Sequence, residues 1–160
     1  MAVNSEIARA AAQFEVNAGM LAKVMEGLTD EEWKRRPCET TNSLQWIVGH
    51  LLWARSRCAR MLGSTWEREW VKHFERGAKV GDGAEYPAPA ELKATWQEVT
   101  AEMTAGLEKA SQEVLDRESH RPSMNGKVSG MVDFLALHES YHVGQAAYVR
   151  CWLGKGGPVG

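Results

Sequence analysis

The sequence predicts an all-α protein, a four-helix bundle with one long crossover between its second and third long helices. Three observations carry that expectation. Apolar residues recur at steps of three and four along four long segments. No segment of useful length alternates with the period of two that marks a half-buried strand. The connection from Gly63 to Pro89 is far longer than an antiparallel helical hairpin needs, so it can return the chain to run in the same direction.

The first helix presents Ile7, Ala11, Phe14, Ala18, Leu21, Met25 and Leu28 on one face, with Asn4 or Ser5 placed to cap it. Thr29 followed by Glu32 forms a capping-box pattern for a short turn through Trp33 that must end before Pro37. Asn42 or Ser43 opens the second long helix, whose inner face runs Leu44, Ile47, Leu51, Ala54, Cys58 and Met61, with Gly63 as its stop. Residues 64–76, with Trp66, Trp70 and Phe74, predict a short amphipathic helix inside the crossover. The third long helix begins at Pro89, a residue suited to a first turn. Its stripe of Leu92, Trp96, Val99, Met103, Leu107, Ala110 and Val114 predicts one helix continuing toward Glu118. The fourth starts near Ser129 and ends at Gly154, with Met131, Leu135, His138, His142, Gln145, Val149 and Trp152 inward. The whole chain, 1–160, reads as a single domain with a core from about 5 to 154 and a flexible Gly/Pro-rich tail at 155–160.

Composition narrows the function classes. Hydrophobic residues make up 44% and charged residues 25% of the chain, which argues against disorder. The net charge of −2 excludes a strongly basic nucleic-acid binder, and the arginine-rich stretch is interrupted by Glu67, Glu69 and Glu75. No apolar run is long enough to cross a membrane and no secretory leader is evident. The three cysteines, Cys38, Cys58 and Cys151, are odd in number and lack CxxC spacing, which points to a reducing, cytoplasmic setting. Cys58 and Cys151 fall in helix bodies and read as small buried residues; Cys38, in a connection, is the most reactive candidate.

Chemistry concentrates in His138-Glu139-Ser140-Tyr141-His142. The two histidines lie one turn apart on a common inner stripe, and burying two imidazoles without partners costs about 1–3 kcal/mol apiece. A divalent ion satisfies both at once. His50, at the margin of the inner face of the second long helix, is the best third ligand; His73 and His120 read as surface residues. Glu139 sits about 100° round the helix from His138, and no His, Asp or Glu follows His142, so a zincin-type protease is disfavoured. Gly144, in mid-helix, predicts a close approach by another helix or a ligand. Gln145, three residues past His142, is placed to hydrogen-bond a ligand histidine without itself touching metal.

The segment His138 to Gln145, ending His142-Val143-Gly144-Gln145, resembles the H-x-x-x-H-x-G-Q signature of the DinB/YfiT-like metal-binding four-helix bundles. Trp46-Ile47-Val48-Gly49-His50-Leu51-Leu52-Trp53 resembles that family's first-histidine helix. The resemblance implies a zinc or nickel triad of His50, His138 and His142, a long connection between helices two and three, and often a homodimer. Relatives of this kind include transferases that use low-molecular-weight thiols, a thiol-dependent isomerase, and proteins described as metal-dependent hydrolases.

Three functions follow as expectations. The first is a metal-dependent, thiol-using transferase acting on a small electrophile, with hydrolysis as a lesser variant. Arg55, Arg57, Arg60, Arg68, Lys72 and Arg76 could attract an anionic thiol in that case, and Arg150 a carboxylate; a solvated charged face explains them equally well. The second is a non-catalytic metal or small-ligand binder of a stress response. The third is an interaction bundle that pairs through Phe134, Leu137, Tyr141 and Tyr148.

Overall fold

Several helix ends in this protein are set by residues that the sequence spells out. In the computed structural model, which describes residues 3–78, 81 and 83–158, the order is α1 (Ala8–Met25), α2 (Asp30–Lys34), α3 (Leu44–Met61), a 3-10 turn (Glu69–Phe74), α4 (Pro89–Lys109), α5 (Gln112–Asp116) and α6 (Val128–Trp152). α1 is not capped as expected by Asn4 or Ser5: its N-cap is Ile7 with no side-chain bond, and Asn4 Oδ1 accepts from Glu6 N ahead of the helix. The Thr29 hydroxyl accepts from Glu32 N while the Glu32 carboxylate accepts from Thr29 N, the reciprocal capping box expected for α2. Ser43 accepts from Trp46 N to start α3. Gly63 stops it at φ +102°, a conformation that a Cβ would make costly. Pro89 occupies the first turn of α4.

Two elements differ from the periodicity reading. The third long helix does not reach Glu118: Ala110 leaves helical geometry and Ser111 caps a separate α5 through Val114 N. The apolar stripe continues across the break because α5 packs on the same core, so spacing alone could not show it. The short amphipathic helix expected within 64–76 is present but confined to Glu69–Phe74 and of the 3-10 type, with Val71 and Phe74 buried and Lys72 and His73 exposed. The tail is tied at its base, where Lys155 pairs with Glu32 at 3.0 Å; residues 159 and 160 lie outside the described residues.

The long crossover does return the chain in the same direction. Gln45, at the start of α3, donates to Pro87 O just before α4, and Leu62, just past the end of α3, lies against Gly106 near the end of α4. These two helices are therefore parallel. α1 and α6 are parallel as well, since Gln13 donates to Ser140 and Arg150 donates to Val24 O. Met61 shares a cavity wall with Val128 and Met131, so α3 and α6 run antiparallel. The four long helices form an all-α bundle in which the middle pair opposes the outer pair. Among the described residues the only bridge pairing is an isolated one between Glu118 and Lys127.

The core divides into two apolar halves. One gathers Leu21, Val24, Ile47, Leu51, Trp96 and Val143; the other gathers Phe14, Ala54, Cys58, Met103, Leu115 and Leu135. Each buried large side chain contributes roughly 1.5–3 kcal/mol. Between the halves lies a belt of polar side chains: Asn17 on α1, His50 and Arg55 on α3, Thr100 on α4, and Glu139 and His142 on α6. That belt positions the site.

Candidate metal centre

At mid-height along their seam, α3 and α6 turn imidazoles toward each other. His50, His138 and His142 each offer a ring nitrogen, and these three atoms lie within 4.8 Å of one another. His50 and His142 are buried and His138 is half-buried. The spacing of His138 and His142 by one turn places both on one face, as the sequence reading required.

Hydrogen bonds fix two of the three rings. His50 Nδ1 lies 2.7 Å from Phe74 O, a carbonyl that can only accept, so the proton is on Nδ1 and Nε2 keeps its lone pair. His142 Nδ1 lies 2.7 Å from Gln145 Oε1, and the Gln145 amide donates onward to the Tyr141 hydroxyl at 3.1 Å. His138 Nδ1 is buried without a partner, while its Nε2 stands 3.2 Å from His50 Nε2. Two imidazole nitrogens sharing an ion at about 2.1 Å would be about 3.0–3.4 Å apart for bond angles between octahedral and tetrahedral. The donor set therefore fits a divalent cation with a nitrogen-rich preference.

Electrostatics keep the rings neutral, the state that ligation needs. Burial pushes the His138 pKa down to about 4, with the charges of His50 and Arg76 acting in the same direction. Burial also takes His142 to about 4, helped by His138 and His50 and opposed by its bond to Gln145. His50 is lowered by burial, with the Phe74 bond working against it. Aromatic rings wall the cluster: Trp46 stacks on His50 at 4.9 Å, Trp53 at 5.3 Å, and Phe134 lies against His138 at 6.1 Å.

The glutamate of the H-E-x-x-H segment serves another purpose. Glu139 receives two parallel bonds from Arg55, Nε at 2.7 Å and Nη2 at 2.8 Å, and both side chains are 1% exposed. Arg55 also donates to Phe14 O and Thr100 Oγ1, and its guanidinium lies 4.0 Å from the centre of the Trp96 ring. Burial pushes the Glu139 carboxyl up, and the Arg55 bonds oppose that rise. Glu139 is accordingly absent from the histidine cluster. Sequence reasoning found its phase but missed its partner. The signal was present, because Arg55 falls four residues from both Leu51 and Ala59, and Glu139 four residues from both Leu135 and Val143. Opposite charges at core phases of two helices mark a buried pair.

Several other expectations are corrected. Arg55 is not available to attract an anion, because it is buried in that pair. Arg150 caps α1, donating to Val24 O and Glu26 O, and leaves no fork for a carboxylate. Gly144 is exposed and a Cβ there would meet nothing, so it mediates no close packing. The glycine that does is Gly49, where a Cβ would collide with the Phe74 ring. Its absence of side chain lets the crossover dock against α3 and deliver the carbonyl that orients His50. Trp152, expected inward, is 40% exposed with the Arg35 guanidinium over its ring. Cys151 is exposed; Cys58 is buried, and its thiol is pushed up to about 12 by desolvation. Cys38 is exposed, with its pKa lowered by hydrogen bonds from Thr40 and Thr41. His73 and His120 are on the surface, as expected.

Comparison with known proteins agrees with this architecture. Residues 13–146 match the DinB superfamily, and the chain belongs to it. Its fold is similar to the crystal structure of a DinB-like protein from Bacillus subtilis, with a TM-score of 0.64 at 17% identity, covering 91% of this chain and 92% of that one. No curated protein matches the sequence.

Proposed function

We propose that this DinB-superfamily chain is a divalent-metal protein in which His50, His138 and His142 hold one zinc or nickel ion and leave positions open for a ligand. The observation that carries the reading is the convergence of three ring nitrogens, with two tautomers already fixed to point lone pairs inward. When bound, such an ion lowers the pKa of a coordinated thiol or water. The chain's own contribution is positional. Phe74 O and Gln145 hold two ligand rings, and the stacked Trp46 and Trp53 limit water around His50.

Thiol-dependent transfer to a small electrophile is the reaction this site favours over hydrolysis. Hydrolysis calls for a positioned general base, and among the described residues no carboxylate joins the three histidines. Glu139, the one candidate the motif offers, is held by Arg55. A thiol needs only the acidifying ion and a neighbouring electrophile. The exposed Leu137, Tyr141 and Tyr148 on α6 support pairing of two copies.

Metal content of protein purified without an immobilised-nickel step tests the reading. One ion per chain is expected, with loss on changing His50 to Ala. Full occupancy in that variant would refute the triad. A screen of thiols against electrophiles then separates a transferase from a binding protein, since steady turnover dependent on His138 belongs only to the first.

A further inference from the structure

Two turns from His50 along α3, on the same helix face, stands Arg57. Two turns from His138 along α6, also on the same face, stands Met131. Both residues line a cavity of about 450 Å³ at the far end of the α3–α6 seam. Arg60 and Arg121 border it as well, against a single carboxylate, Glu118. Other basic residues nearby are already neutralised: Arg68 pairs with Glu98 at 2.9 Å and Lys72 with Glu69 at 2.9 Å. Arg60 has a loose contact with Glu67 at 3.5 Å. Among the described residues, Arg57 and Arg121 have no side-chain hydrogen bond or ion pair, and they are close enough that their charges repel. On the cavity wall three guanidiniums face the one carboxylate of Glu118, with Glu75 acting on Arg57 from outside the lining, and a bound anion relieves the repulsion that remains.

The cavity is linked physically to the histidines. The Trp53 ring packs against His50 on one side and lies under the Arg57 guanidinium at 5.6 Å on the other. The sequence His50–Trp53–Arg57 is thus a continuous ladder along one face of α3. At the other end, the Arg76 charge acts on His138.

We infer that the Arg57–Arg60–Arg121 cavity is an oxyanion subsite, holding the carboxylate or phosphate end of a ligand whose reactive end lies at the histidine cluster. The helical rise between His50 and Arg57 sets the separation of the two ends at about 10 Å. This rests on the metal reading for its second half and on the cavity alone for its first. It identifies the ligand class as an elongated acidic molecule, and it separates that class from a compact neutral electrophile.

The test has two arms. In the first, metal-free protein is titrated calorimetrically with inorganic phosphate, beside an Arg57→Gln/Arg121→Gln variant and an Arg57→Lys variant. Saturable binding is expected, weakened about tenfold in the double variant and largely retained by lysine, with the helical signal and zinc stoichiometry unchanged. No saturable binding, or equal affinity in the double variant, would overturn the subsite. In the second arm, zinc-loaded protein is titrated with an eight-carbon ω-mercaptocarboxylate and with the neutral thiol of equal length. The acid should bind about tenfold tighter, and the advantage should vanish in the double variant. Equal binding of the two thiols would overturn the link between cavity and cluster. Should the protein take up no zinc at all, the metal reading fails while the phosphate arm still decides the subsite.

Discussion

Two neighbouring polar layers share the same helix pair, α3 and α6, yet they are built on opposite principles. In one, Arg55 and Glu139 meet fork to fork at 2.7 and 2.8 Å, fully enclosed, with two further guanidinium donors bonded to Phe14 O and Thr100, so that every guanidinium nitrogen has a partner. In the other, three imidazoles converge with one ring nitrogen orphaned and two lone pairs facing inward. The first layer is closed and complete. The second is held in place by its neighbours but lacks a partner of its own. Among the described residues four buried side-chain atoms lack a partner: Trp33 Nε1, Gln45 Oε1, Trp46 Nε1 and His138 Nδ1. Of these only His138 stands in a cluster of converging metal-ligating groups, which marks the place for a ligand.

Breaking the closed layer should have the largest effect. Arg55→Ala strands a buried carboxylate and should lower unfolding free energy by about 3–5 kcal/mol in denaturant titrations. A paired Arg55→Met/Glu139→Leu replacement should recover most of that loss, because it removes both charges together. The open layer should respond differently. His138→Ala in metal-free protein should change stability by about 1 kcal/mol or less. Zinc at a hundredfold excess over its dissociation constant should stabilise the native chain by about 2.7 kcal/mol, and His138→Ala should abolish that gain. A metal-free His138→Ala protein as unstable as Arg55→Ala would erase the distinction between the layers.

Between these extremes stands Gly49→Ala. The added methyl must displace the Phe74 ring, which should cost about 1–3 kcal/mol and weaken zinc binding by moving the carbonyl from His50. Ala at Gly144, by contrast, should be stabilising, since it meets open space and improves helix propensity. The remaining contrast is a pH dependence. His138 and His142 have folded values near 4 against an ordinary 6.5, so the unfolded chain takes up protons first. Their contribution to metal-free stability is present above pH 6.5 and is lost as pH falls toward 4. Replacing both with Ala should flatten that part of the stability profile, and an unchanged slope would contradict the depressed values.

Local rules made much of this molecule readable. The capping box at Thr29, the Ser43 cap, Pro89 and Gly63 are short-range chemistry, and each acts within one turn of its own residue. The length of the 63–89 connection implied parallel α3 and α4. The one-turn pair His138–His142 was visible for the same reason, and His50 by its place on an inner margin. What was missed depended on contacts across the fold. Glu139 and Arg55 are separated by 84 residues, and their core phases show that each needs a buried partner without either segment alone naming the other. Gly49 and Gly144 are both mid-helix glycines, and only the docking of Phe74 distinguishes the packed one from the exposed one. The break at Ala110 was hidden because α5 keeps its apolar residues facing the same core.

The Phe74 carbonyl has a consequence for the order in which the site comes into being. His50 is aligned by an atom 24 residues downstream, on the turn seated in the notch at Gly49. Until that loop closes, the Phe74 carbonyl does not fix the tautomer of His50, and His138 lies 88 residues away on α6. On the proposed metal reading, ion capture should therefore follow assembly of the crossover and not nucleate it. Refolding rates should be indifferent to added zinc in stopped-flow experiments, with the ion acting on the unfolding rate alone. A zinc-accelerated folding phase would place site formation ahead of crossover closure.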